Sequence, residues 1–358
     1  MLPTTRLNQL GQSLWLDDIT RDLLDSGTLA HYVAEWSVTG LTSNPTIFDH
    51  AITHSRSYDH EITRLLDTGL RGEELFFELA IQDLRRAADL FLPIYGRTAT
   101  VDGWVSLEVS PLLAYDADGT VAAAEALRAK ADKPNLFIKI PGTHQGLPAI
   151  EEAIFRGVPV NVTLLFSPEH YIAAADAYMR GLERRVAAGL PPDVRSVASL
   201  FISRWDRATM ATLPDHLQNR LGLAVGECAY STFRNQLDSD RWQRLENLGA
   251  RAQRLLFAST GTKDPKLSDV LYVDGLAAPN TVNTMPQATL QATADHGVIA
   301  RSLSRGSGEG AATLAACEEA GVDIATLADK LQAEGAASFV TSWQDLLQTI
   351  DAKSKVLS

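Results

Sequence analysis

Short apolar runs alternate along the chain with longer stretches in which apolar residues recur every three or four positions. The runs are "SLWLDD" (13–18), "SVTGLTSN" (37–44), "GWVSLEVS" (103–110), "NLFIKIP" (135–141), "VPVNVTLLF" (158–166), "SVASLFIS" (196–203), "QRLLFAST" (253–260) and "SDVLYVDGL" (268–276). Their length and composition predict strands. Between them, residues 73–91 carry Leu75, Leu79 and Leu84 at helical spacing, and 121–131 and 168–187 read the same way. Eight strand-like runs joined by helices predict an α/β protein, a (β/α)8 TIM barrel with additional helices. An open doubly wound sheet would place a glycine-rich phosphate turn directly after the first strand, whereas this one continues "LWLDDITRDLL". No Pro/Gly/Ser-rich linker or fixed-period repeat divides the chain, and only "RSLSRGSGEGAA" (301–312) has loop character. Residues 1–358 are therefore expected to form one barrel domain with extra C-terminal helices.

Strand side chains alternate between faces, so each run can be phased. In "NLFIKIP", Leu136, Ile138 and Ile140 form an aliphatic set suited to packing under helices, which turns Phe137 and Lys139 toward the barrel interior. The same phasing turns Ser106 and Glu108 inward opposite Val105, Leu107 and Val109. Asn161 and Thr163 turn inward opposite Val160, Val162 and Leu164, and Trp15 and Asp17 opposite Leu14 and Leu16. A lysine, two carboxylates, an asparagine and a threonine thus converge on one mouth, at the carboxyl ends of strands where barrels place reacting groups.

Composition narrows the partners. The 358 residues are 45% hydrophobic and 21% charged, ordinary for a globular protein. A net charge of −12 argues against a nucleic-acid or anionic-membrane surface, though not against a local cationic pocket. The two cysteines, Cys228 and Cys317, lie far apart outside any CxxC pair, so no disulfide framework or zinc ribbon is implied. No apolar run approaches the roughly 18 residues of a membrane span, and the first residues lack the pattern of a signal peptide. The expectation is a cytoplasmic protein.

Lys139 and Glu108 allow two readings. One is a structural ion pair, which contributes uncertain stability when buried. The other is covalent catalysis, in which an apolar site disfavours the ammonium and frees a neutral amine to attack a carbonyl. Neighbouring acids would then move protons as a carbinolamine becomes a Schiff base, the chemistry of a class I aldolase.

The blocks "LWLDDITRDLLDSG", "GLTSNPTIF", "VSLEVSPLLAYD", "IKIPGTHQGLPAIEEAI", "NVTLLFS", "VASLFISRWD", "ASTGTKDP" and "NTVNTMP" together resemble the transaldolase family over roughly residues 14–297, closest to its longer bacterial subfamily. The resemblance implies that Lys139 forms the Schiff base and that Asp17 is the acid/base at the C4 hydroxyl. Glu108 and Thr163 would hold the water that dehydrates the carbinolamine. It assigns Asn44, Asn161 and Ser199 to substrate and Arg204 to its phosphate. The reaction implied moves a dihydroxyacetone unit from sedoheptulose 7-phosphate to glyceraldehyde 3-phosphate in the non-oxidative pentose phosphate pathway, with phosphorylated sugars as partners and no cofactor. Monomer and homodimer both stay open. A fructose 6-phosphate aldolase that releases dihydroxyacetone, and a non-catalytic sugar-phosphate binder on the same barrel, are the competing readings.

Two positions depart from the family pattern. Thr42-Ser43-Asn44-Pro45 replaces Thr-Thr-Asn-Pro, which keeps the hydroxyl. Where many members carry an arginine after the seventh strand, this chain offers Lys263, with Ser259 nearby; a lysine grips phosphate as a point charge and not through a fork. His50, His54 and His60 have spacing compatible with a metal, but without an HExxH-type carboxylate they are expected on a solvated helix face. "GSGEGA" (306–311) follows no strand and is expected to be loop.

Overall fold

The computed structural model describes residues 1–357. Eight parallel strands close into a barrel in chain order. They are β1 (Ser13–Asp17), β2 (Val38–Thr42), β3 (Val105–Glu108), β4 (Leu136–Pro141), β5 (Val160–Leu165), β6 (Ser196–Phe201), β7 (Arg254–Ala258) and β8 (Val282–Met285). The seven earlier runs contain the first seven strands, but "SDVLYVDGL" does not contain the eighth. It holds a short helix, Leu271–Gly275, whose Tyr272 hydroxyl donates to Asp206 Oδ2 at 2.8 Å. The true β8 is the four-residue "VNTM", with Val282 and Met285 as its only apolar members.

Helices cover the barrel at Gly72–Arg97, Ala117–Ala131 and Pro168–Ala187, each at a stretch with apolar periodicity. The first runs past the expected end, through Pro93 to Arg97. Residues 297–309 are irregular and a helix begins at Gly310, so the expected loop 301–312 overran by three residues. The 34-residue helix Ile324–Leu357 follows. Among the described residues, no helix is long and apolar enough to cross a membrane.

The lower interior is aromatic. Trp104 and Phe137 stack with centroids 4.1 Å apart, and Trp15 lies 6.1 Å from Phe137. Beneath them the carboxylate of Asp102 accepts from Trp15 Nε1 at 2.8 Å and from Ser13 Oγ, which in turn accepts from Arg254 at 2.6 Å. The rings fit because β2 carries Gly40. A Cβ there would sit 2.5 Å from Trp15 Nε1 and 2.7 Å from the backbone oxygen of Trp104. Since a backbone oxygen inside a barrel cannot step aside, Gly40→Ala is expected to destabilise the fold by about 2–3 kcal/mol. A drop in thermal midpoint checks this, and an unchanged midpoint would show that the floor has slack.

Above the aromatic floor the register sets the chemistry. Glu108 pairs with Lys139 across β3–β4, and Lys139 with Asn161 across β4–β5, so three inward polar groups stand in one row. The phasing of Leu164 is corrected by a bulge. The β5–β6 register shifts between Val162 and Leu165, and Leu164 takes a left-handed φ of 61°, costly for a leucine. Its backbone oxygen accepts from Gln332 at 2.8 Å and its side chain abuts Gly335, so it faces the C-terminal helix at the mouth and not the outer helical layer.

Candidate active site

A cavity of about 350 Å³ opens at the carboxyl ends of the strands. Eight of the ten residues expected at the site line it: Asp17, Asn44, Lys139, Thr163, Ser199, Arg204, Ser259 and Lys263. Glu108 and Asn161 are buried immediately behind its wall. All ten therefore belong to one neighbourhood, delivered by β1 to β7 and the turns that follow them.

Lys139 is 5% exposed. Its Nζ donates to the backbone oxygen of Ser43 at 3.2 Å and lies 3.3 Å from Glu108 Oε2, a close ion-pair contact lacking good hydrogen-bond direction. Burial pushes the Glu108 carboxyl above its usual range, opposed by Lys139 and aided by Asp17. Both Glu108 oxygens and the Thr163 hydroxyl are buried without a protein hydrogen-bond partner. Buried polar atoms are normally paired, so these two side chains on either side of Lys139 retain capacity for a small polar guest.

Asp17 closes the opposite side. Its Oδ1 accepts from Thr42 Oγ1 at 2.7 Å, and Thr42 and Thr284 hydroxyls meet at 2.6 Å. Asp18, next in the chain, points into a neighbouring cleft of about 660 Å³ that also touches Asp17 and is lined by Asp22, His50 and Gln287. Burial, then the charge of Asp17, raises Asp18 from 3.8 to about 6. A carboxyl that holds its proton more tightly when folded contributes stability below its unfolded value and loses it as pH rises through the folded one. The affected window runs from about pH 4 to about pH 6, and the loss is about 2–3 kcal/mol. Asp18→Asn is accordingly expected to gain that much over wild type between pH 4 and 7 in urea unfolding; parallel profiles for the two proteins would contradict it.

The remaining expected residues stand around these groups. Asn44 caps the helix Pro45–His54, its Oδ1 accepting from Ile47 N at 3.1 Å. Asn161 is held at both ends, donating to Ser106 Oγ at 3.2 Å and accepting from Ser199 Oγ at 2.7 Å. Arg204 stands over Phe201 at 5.6 Å, and burial followed by the neighbouring Arg207 lowers its guanidinium's usual value. Ser259 adopts φ 55° and its hydroxyl lies 3.0 Å from that of Ser203. Lys263 is an exposed cation at the rim.

Sequence reasoning missed Phe339, Phe201, Thr42 and Thr284 in the cavity wall. Thr42 shares the interior face of Gly40 and was open to the same phasing, whereas Thr284, level with Trp15, lies on the strand that the apolar pattern does not reveal. Phe339 belongs to the C-terminal helix, where nothing local marks a residue as facing the mouth. The histidine pair stacks on its helix, ring centroids 4.3 Å apart, and His54 Nδ1 lies 3.0 Å from the backbone oxygen of His50. Among the described residues no three His, Cys, Asp or Glu side chains assemble as a metal-ligand group.

A family model described as Transaldolase/Fructose-6-phosphate aldolase matches residues 14–350. A protein named Transaldolase from Thermobifida fusca (strain YX) is 46% identical over 357 residues, covering 97% of each chain. One of the same name from Parafrankia sp. (strain EAN1pec) is 44% identical over 357 residues, again 97% of each chain. Transaldolase 2 from Nostoc sp. (strain PCC 7120 / SAG 25.82 / UTEX 2576) is 39% identical over 371 residues, 98% of this chain and 97% of that one.

Proposed function

The chain belongs to the transaldolase/fructose-6-phosphate aldolase family and is a transferase of the transaldolase kind, and from that premise we propose that Lys139 carries a dihydroxyacetone unit as a Schiff base. The donor is sedoheptulose 7-phosphate and the acceptor glyceraldehyde 3-phosphate, giving erythrose 4-phosphate and fructose 6-phosphate. The setting is the non-oxidative pentose phosphate pathway in the cytoplasm.

The observation that carries this reading is the grouping of Lys139, Glu108 and Thr163 at one end of a cavity whose other end is Asp17. The Lys139 amine adds to the ketose C2 carbonyl. Burial raises the Glu108 carboxyl and so favours its protonated form, which suits it for giving a proton to the carbinolamine oxygen, which leaves as water, and Thr163 supports that water. The resulting iminium withdraws electrons from C3. Asp17 takes the C4 hydroxyl proton, the C3–C4 bond breaks, and an enamine stays on Lys139 while the aldehyde departs. The acceptor aldehyde then reverses these steps. No step requires a metal or organic cofactor. Asn44, Ser199 and Asn161 suit the hydroxyls of the three-carbon unit, and Arg204 with Lys263 suits the phosphate.

Reduction with borohydride in the presence of fructose 6-phosphate, followed by peptide mapping, tests the reading. Modification of Lys139 is the expected result, and an unmodified Lys139 in protein that turns over substrate overturns it.

A further inference from the structure

The helix Ile324–Leu357 lies across the mouth of the barrel as a strap. Gln332, Gly335, Phe339, Trp343 and Ile350 recur at helical spacing and share its inner face. At one end the Gln332 amide donates to the backbone oxygens of Gly142 at 3.1 Å and Leu164 at 2.8 Å, beyond β4 and in the β5 bulge. Gly335 permits this approach, since a Cβ would come within 2.9 Å of Leu164 Cδ2. At the other end Trp343 packs edge-on against Phe76 at 5.0 Å, Ser342 pairs with Thr46 at 2.8 Å and Lys353 with Asp59 at 2.7 Å. Between these anchors stands Phe339, 6% exposed, in the wall of the cavity with Lys139 Nζ 5.7 Å over its ring.

A helix pinned at both ends holds that ring in place. Two properties follow from its position. The ring face favours a cation near it, as the iminium is. Its edge and face also occupy space that water would otherwise take beside the amine.

We propose that Phe339 is a specificity-determining residue, the roof that keeps water from the enamine on Lys139 and so commits the three-carbon unit to transfer. The proposal rests on the Schiff-base reading. The competing loss begins when the enamine's C3 takes a proton from water, regenerating the iminium. A water molecule then adds at C2, the C–N bond breaks, and the amine of Lys139 and free dihydroxyacetone result. Both steps need water within reach of the carbons bonded to Lys139, which an apolar cover suppresses.

The test uses full-length protein with fructose 6-phosphate, with and without erythrose 4-phosphate. The readout is free dihydroxyacetone released per unit transferred, a ratio that a general loss of packing does not move. Phe339→Ala is expected to raise it about tenfold, and Phe339→Leu, which keeps an apolar cover, to stay within roughly twofold of wild type. Phe339→Val serves should the alanine variant fail to fold, with an intermediate rise expected. An unchanged ratio in a folded alanine or valine variant whose Lys139 is still trapped by borohydride overturns the proposal. Failure to trap wild-type Lys139 would instead overturn the Schiff-base reading beneath it.

Discussion

Lys139→Met is expected to lose transfer activity by roughly four orders of magnitude or more, the scale of removing a covalent nucleophile. Methionine keeps the length and apolar stem of lysine, so the rings of Phe137 and Trp104 below and Phe339 above retain a neighbour. What disappears is the amine and the positive partner of Glu108, 3.3 Å away. Removing one member of a buried pair costs on the order of 3–5 kcal/mol if the other stays charged. Glu108 can avoid this by taking a proton, because burial already raises its value and the ammonium that opposes the rise is gone. The variant is therefore expected to fold, with a thermal midpoint that falls below wild type more steeply as pH rises. Steady-state transfer rates and melting at two pH values measure both effects. A variant that keeps more than about a hundredth of wild-type activity rules out Lys139 as the covalent residue, given the size of such losses.

The second large effect is expected at Asp17. Asparagine is nearly isosteric and its Oδ1 can still accept from Thr42, so the Thr42–Thr284 pair stays in place. It cannot take a proton from a hydroxyl. Asp17→Asn should leave Schiff-base formation intact and slow C3–C4 cleavage by about 10²–10⁴, the range for a positioned general base. Borohydride should then trap the whole six-carbon donor on Lys139, whereas wild type yields the three-carbon adduct as well. The mass of the adduct separates the two cases. A three-carbon adduct forming at the wild-type rate would remove Asp17 from the cleavage step.

Half of the expected site, Lys139, Glu108, Asp17, Asn161 and Thr163, was legible by phasing, the charged members most plainly because charges are costly inside a barrel; Asn44, Ser199, Arg204, Ser259 and Lys263 came only through the family resemblance. Lys139 and Glu108 interrupt aliphatic alternations in β4 and β3, so their facing followed from parity alone, and the aligned register then brings them together. β8 was hidden for the opposite reason. Its polar Asn283 and Thr284 meet Thr260 and Thr42, with Asn283 Oδ1 accepting from the Thr260 hydroxyl, and such a strand carries almost no apolar signal. "SDVLYVDGL" mimicked a strand because its buried Val270, Tyr272, Val273 and Leu276 are too few to show a helical period. Leu164 was misphased because a bulge changes parity without leaving a mark in composition. The facing of Phe339 depends on where a helix nearly 200 residues downstream of Lys139 comes to rest. That is fixed by anchors such as Gln332 and Trp343, whose partners local periodicity does not identify.

The aromatic floor also governs traffic. Trp15, Trp104 and Phe137, locked over Asp102, fill the barrel below the reacting groups, and the cavity opens toward the strand tips. On the proposed mechanism the aldehyde released by cleavage leaves by the route through which the next aldehyde enters, and with Arg204 assigned to the phosphate the two cannot be held there together. Departure precedes arrival, and the plotted kinetics of donor against acceptor should be families of parallel lines.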